Sequence, residues 1–95
     1  MTTRVYTHDD FAGHVTPPGH PEQVARLDAV ARALAGLAVD RHEAPLAPDA
    51  EVLRCHPAAY LAKLRRAVPA SGWVPVDGDT ILSPGSLDAA LRAVG

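Results

Sequence analysis

One cysteine, one phenylalanine, one tryptophan and two tyrosines are all the thiol and aromatic chemistry in this sequence. The lone Cys55 excludes an internal disulfide, so the fold must stand on packing and hydrogen bonds. Basic charge is also short: nine Lys and Arg face eleven Asp and Glu, for a net charge of -2. That balance excludes a basic field able to hold nucleic acid by counterion release, and no basic face suggests a membrane surface. No apolar run approaches the roughly 18 residues of a membrane span. The opening Met1-Thr2-Thr3-Arg4 lacks the apolar run of a secretory signal, so the cytoplasm is the expected compartment.

What is present is a globular composition, 47% hydrophobic and 21% charged. Alanine, arginine and proline are plentiful, which points to a GC-rich bacterial genome. Ninety-five residues suffice for one small domain, which buries only about 60–68% of the surface its unfolded chain exposes.

Arg4-Val5-Tyr6-Thr7 is short and β-prone and is expected to be a strand. A loop follows from His8 to Gly19, where Pro17-Pro18-Gly19 excludes helix. Pro21 suits the first turn of a helix reaching to Gly36. Val24, Leu27, Val30, Ala31, Leu34 and Leu37 recur three or four apart and predict one buried stripe. Leu37-Ala38-Val39 opens a second strand toward Ala44. Asp49 is placed to cap a short helix through Arg54, and Pro57 to start another carrying Tyr60, Leu61, Leu64 and Val68. Pro69 to Gly72 breaks the chain, Trp73 to Val76 is extended, and Asp77 to Thr80 turns it. Ser83 is expected to cap a last helix with Pro84 in its first turn and Leu87, Ala90, Leu91 and Val94 on its apolar side. Hairpin signals are few. The order predicts an α/β protein with a parallel sheet flanked by helices. Two short strands make a poor sheet, because parallel strands need both faces covered, so the chain reads as part of a larger α/β domain.

Several clusters could carry chemistry. His8, His14 and His20 lie six apart in and beside one loop, but structural zinc takes ligands in closer pairs. Histidines bonded to backbone are the plainer reading. Asp40-Arg41-His42 has a metallohydrolase-like spacing and no further Asp or His around it. Adjacent Cys55 and His56 on a helix would point about 100° apart, which disfavours a nucleophile–base pair and favours a half-buried thiol. Asp77-Gly78-Asp79-Thr80 resembles phosphate and calcium loops, yet the register and the later ligands are missing. A turn whose carboxylates bond nearby N–H groups is simpler. In Gly19-His20-Pro21-Glu22 with Arg26, a glycine-bearing loop delivers a histidine to the mouth of a helix. Arg26 then either faces a polar cavity or lies in solvent.

The succession Val5-Tyr6, His14, Gly19-His20-Pro21-Glu22 and Arg26 resembles the opening of the histone deacetylase and acetylpolyamine amidohydrolase family. Leu53-Arg54-Cys55-His56 with Tyr60-Leu61, Asp77-Gly78-Asp79-Thr80 and Ser83-Pro84-Gly85-Ser86 extend the resemblance in order to Gly95. The Gly-His-Pro-Glu and Asp-x-Asp-Thr forms are more similar to its bacterial and class II branch. The resemblance implies residues 1–95 as the N-terminal segment of one arginase-like α/β deacetylase domain. Its zinc-ligand motifs and tandem histidine would lie beyond Gly95. It implies hydrolysis of acetyl-lysine or acetylated polyamine amides, with zinc polarising the carbonyl and activating water in the full-length form. No catalytic or metal-binding residue is carried over to this chain, which is expected to bind no zinc and to be inactive alone. His20 and Pro21 would line the rim of the substrate channel, with Trp73 from a variable loop beside them. Tyr6 and Arg26 would face an inner cavity. Trp73 packed on the following strand is the alternative for that residue. For the whole chain the alternatives are a stand-alone interaction or regulatory module and an unrelated phosphate-binding α/β protein. A separated fragment would expose Val5, Val39 and parts of its helix stripes, and self-associate.

Overall fold

The computed structural model describes residues 2–95. β1 (Arg4–Thr7) and β2 (Asp40–Glu43) pair in parallel, from Arg4 opposite Asp40 to Thr7 opposite Glu43. Between them runs α1 (Ala25–Leu34), which gives the β-α-β order that a parallel connection requires. β-branched and aromatic residues favour β1. β2 reads Asp-Arg-His-Glu and has no such preference; its ladder is extended by the Asp40 N–H donating to the Thr3 carbonyl and the Ala44 N–H to that of Thr7. Leu37 to Val39, expected in the strand, make turn bonds instead: the Leu37 N–H reaches the Leu34 carbonyl at 3.1 Å.

α1 starts later than Pro21 and ends before Gly36. The Glu22 N–H donates to His20 Nδ1 at 3.1 Å, and the Thr16 hydroxyl donates to the Glu22 carbonyl. These local bonds compete with a first helical turn and displace the helix start. The expected burial of the α1 stripe is not observed. Leu27 and Val30 are 41% and 56% exposed, and only Val24 and Leu34 are partly covered. Two strands are too narrow to cover a ten-residue helix.

α2 (Asp49–Val52) and α3 (Ala58–Ala67) follow. Pro48 takes the N-cap position of α2, so Asp49 does not cap it as expected. Its carboxylate instead receives both Arg65 guanidinium nitrogens, at 2.5 and 2.6 Å, clipping α2 to α3. Pro57 stands at the N-cap of α3, whose Leu61 is buried. Cys55 is exposed rather than half-buried, and the His56 ring stacks on Tyr60, not on the thiol.

A short hairpin then appears where few hairpin signals were read. β3 (Val74–Pro75) and β4 (Ile81–Leu82) pair antiparallel, with Val74 opposite Leu82. Two apolar residues are too few to announce β4 by periodicity.

α4 (Ser86–Val94) is the most buried element, with Ser86, Ala89 and Leu91 inside. Its N-cap is Gly85, so Ser83 does not cap it and Pro84 precedes its first turn. Of the expected Leu87-Ala90-Leu91-Val94 side, Leu91 is buried and Leu87 half-buried, while Ala90 and Val94 are exposed and Ser86 and Ala89 complete the buried face. α4 packs on a 3-10 helix over Asp9–Gly13. Arg92 fastens this packing: its Nε donates to Asp10 at 2.9 Å and a second nitrogen to the Ala44 carbonyl at 3.1 Å.

Among the described residues the buried apolar set is small: Ala44, Ala47, Leu61, Ala89 and Leu91. Tyr6, Leu27, Val30, Leu37, Tyr60 and Val94 are all exposed. The molecule is a slab, 41 × 34 × 20 Å, with a radius of gyration of 14.8 Å. A self-contained domain of this length would measure about 12–13 Å. The fold is thus a mixed helix and strand arrangement with a short parallel pair and much apolar surface uncovered.

Candidate functional site

The polar side chains gather where the loop after β1 meets the hairpin and the start of α4. The hairpin turn is self-supporting. Asp77 Oδ1 accepts the backbone N–H groups of Asp79 at 2.8 Å and Thr80 at 2.7 Å. Those bonds, Asp79 first and then Thr80, hold the Asp77 carboxyl below its usual range. This carboxylate is spent on its own turn, as the simpler sequence reading of Asp77–Thr80 expects.

The loop from Gly13 to His20 lies along that hairpin. Trp73 Nε1 donates to the Val15 carbonyl at 2.8 Å, joining residues 58 apart in sequence. His20 Nε2 donates to the Asp79 carbonyl at 2.9 Å, 59 residues away. With Nδ1 accepting from Glu22, both ring nitrogens of His20 are engaged. His20 and Trp73, expected on one rim, are brought to the same loop–hairpin seam. Each acts there as a fastener, and Pro21 lies exposed beside His20. Gly19 supplies the sharp bend before them with a φ of 85°.

Deeper in, the loop is latched to α4. The Val15 N–H donates to Ser83 Oγ at 3.1 Å, and His14 Nδ1 lies 2.6 Å from Ser86 Oγ. Ser83 and Ser86 are both buried. Gly85 permits this approach, since a Cβ there would meet the Gly13 carbonyl oxygen at 2.5 Å. Sequence reading did not single out Ser86 or Arg92. The signal for Ser86 is the repeated serine of Ser83-Pro84-Gly85-Ser86, which as a pattern marks a helix start and a family-like segment but no buried hydroxyl pair. A lone arginine late in a helix carried no signal at all.

Tyr6 and Arg26, expected to share an inner cavity, are not brought together. Tyr6 stacks on His42 with ring centroids 5.1 Å apart and lines a groove between β1 and α1 with Leu27 and Val30. Arg26 is not on that groove; it pairs with Glu22 at 3.0 Å, and its side chain is 64% exposed. His42 also donates to Asp40 at 2.8 Å, within β2. His8 caps the 3-10 helix by accepting the Asp10 N–H at 3.0 Å. Among the described residues no three His, Cys, Asp or Glu converge as metal ligands. No helix among the described residues is long and apolar enough to cross a membrane.

No family model matches the chain. It is 40% identical over 101 aligned residues to the uncharacterized protein slr0245 of Synechocystis sp., a match covering 99% of this chain. The chain spans 33% of the length of that relative.

Proposed function

We propose that residues 1–95 are the N-terminal segment of a deacetylase domain that hydrolyses acetyl-lysine or acetylated polyamine amides. In this reading they supply the rim and one inner wall of its active site. The observation that carries the reading is the loop–hairpin seam. The segments that resemble the family's first active-site loop and its variable substrate loop are tied by Trp73 and His20 although they lie far apart in sequence. The length of the Synechocystis relative supports it too, since a chain covering one third of such a protein leaves room for the metal-binding motifs elsewhere. The thin core and uncovered α1 stripe fit a segment whose partner surface is other polypeptide of the same domain.

Within that reading His20, Pro21 and Trp73 shape the channel mouth, and Tyr6 lies nearer the sheet. Arg26 reaches an inner cavity only by leaving Glu22 for a site built by the rest of the domain. The test is a chimera in which these 95 residues replace the matching third of the Synechocystis relative. Hydrolysis of an acetyl-lysine peptide or N-acetylputrescine is expected from the chimera and absent from the 95 residues alone. A folded chimera and a folded parent relative that both leave these amides intact would refute the reading.

A further inference from the structure

The serine pair beneath the loop has a consequence for His14. Four contacts meet at Ser83 Oγ and Ser86 Oγ besides the His14 ring. The Ser83 N–H donates to Ser86 Oγ at 2.7 Å, and the Val15 N–H donates to Ser83 Oγ at 3.1 Å. The Ser83 hydroxyl reaches the Gly13 carbonyl at 3.3 Å, and the two hydroxyl oxygens are 3.1 Å apart. His14 Nδ1 completes the set at 2.6 Å from Ser86 Oγ.

Each hydroxyl has one proton to give and two lone pairs to fill. A carbonyl cannot donate, so the Gly13 contact requires the Ser83 proton. The contact between the hydroxyls then requires the Ser86 proton, directed at Ser83. Ser86 has no proton left for His14, so the ring must donate to it. With this assignment every contact is made, and each oxygen accepts two bonds and gives one. If Ser86 donated to the ring instead, either the contact between the hydroxyls would go unmade or the Ser83 proton would turn to Ser86 and leave the Gly13 carbonyl. Either way one contact of this part-buried cluster is lost, and only a ring that donates makes them all.

We infer that the Ser86–Ser83–Gly13 chain holds His14 with its proton on Nδ1, so that Nε2 presents a lone pair. The hydrogen bond at one ring nitrogen sets the role of the other. Nε2 has no hydrogen-bond partner among the described residues, and the ring lines a cleft of about 360 Å³ with Phe11, Leu27 and Leu82. Ser86 is thus a positioning residue, and His14, on a mostly apolar cleft that Glu22 and Gln23 also line, keeps Nε2 as an acceptor. The ligand chemistry it suits is an N–H donor carried on an apolar or alkyl body, as in an amide or amine. Naming that ligand rests on the deacetylase reading; the tautomer does not.

The test is long-range ¹H–¹⁵N correlation of histidine-labelled protein at about pH 8.5, where an ordinary imidazole is neutral. Magic-angle spinning on sedimented chain serves if the chain associates. A protonated Nδ1 and a bare Nε2 on His14 are expected, and a proton on Nε2 overturns the inference. Ser83→Ala, which removes no contact to the ring, leaves the Ser86 proton no acceptor except His14 and is expected to move the ring proton to Nε2. Ser86→Thr, which keeps the hydroxyl, is expected to preserve the wild-type tautomer. An unchanged tautomer in a folded Ser83→Ala variant also overturns the inference. If the variants do not fold, the wild-type spectrum alone decides. Adding N-acetylputrescine is expected to shift His14 Nε2 and leave Nδ1 in place. A correct tautomer with no Nε2 shift would overturn the amide or amine ligand, leaving the deacetylase reading to the chimera.

Discussion

Two residues set how the loop, hairpin and last helix meet. Gly85 is the first, because the Gly13 backbone occupies the place of its side chain. Gly85→Ala forces the loop and α4 apart. It should cost about 1–3 kcal/mol, as overpacking does in a close-packed site. The urea midpoint should fall, and the Val15 amide should lose hydrogen-exchange protection first. Unchanged protection at Val15 would mean the latch is not where the chain is tightest. Asp77 is the second. Its pKa is lowered on folding by the Asp79 and Thr80 N–H groups. Its contribution is therefore present above the ordinary carboxylate pKa and is lost as pH falls through the lowered value. Exchange protection at Asp79 and Thr80, corrected for intrinsic rates, should hold at neutral pH and drop in strong acid. Asp77→Asn keeps the acceptor oxygen and should flatten that acid dependence. Asp49 follows the same sign through its bond to Arg65, at a half-exposed site.

At the scale of elements, the proposed function rests on the seam between loop and hairpin. His20→Ala removes the bond to Asp79 and should loosen the loop over Trp73, the only tryptophan. Red-shifted emission and faster acrylamide quenching are expected, with little change in helix content. Identical quenching would show that Trp73 alone secures the seam. What the sequence made legible here was local. Pro57 and the spacing of Tyr60, Leu61 and Leu64 announced α3, and Val5-Tyr6-Thr7 announced β1. The starts of α1 and α4 lie later than the sequence predicts because side-chain bonds at His20, Thr16 and Ser86 reorganise the approach to each helix. No period records such bonds. β4 was missed for want of length. Asp49 looked like a cap, but its partner Arg65 lies a helix away, and only the fold brings them together. That His20 and Trp73 lie near one another was legible through family resemblance. Ser86, buried and silent in pattern, was not.

As a whole molecule the chain is less compact than its length allows. Many of its large apolar side chains, among them Leu27, Val30, Tyr60 and Val94, are exposed. Exposed apolar surface of this kind is where proteins associate. The isolated chain should sediment as a mixture of oligomers, bind a hydrophobic dye and unfold over a broad temperature range. A monomer with one sharp transition would favour a stand-alone module instead. Grafted into the longer relative, the same surface should be covered and the association lost. The most direct measurement is then the steady-state kinetics of acetyl-amide hydrolysis by that chimera, with and without Trp73→Ala. Hydrolysis by the chimera, with a KM raised several-fold by the substitution and kcat nearly unchanged, is the predicted result. Active hydrolysis whose KM ignores both Trp73→Ala and His20→Ala would place the substrate channel elsewhere and contradict the role given to this chain.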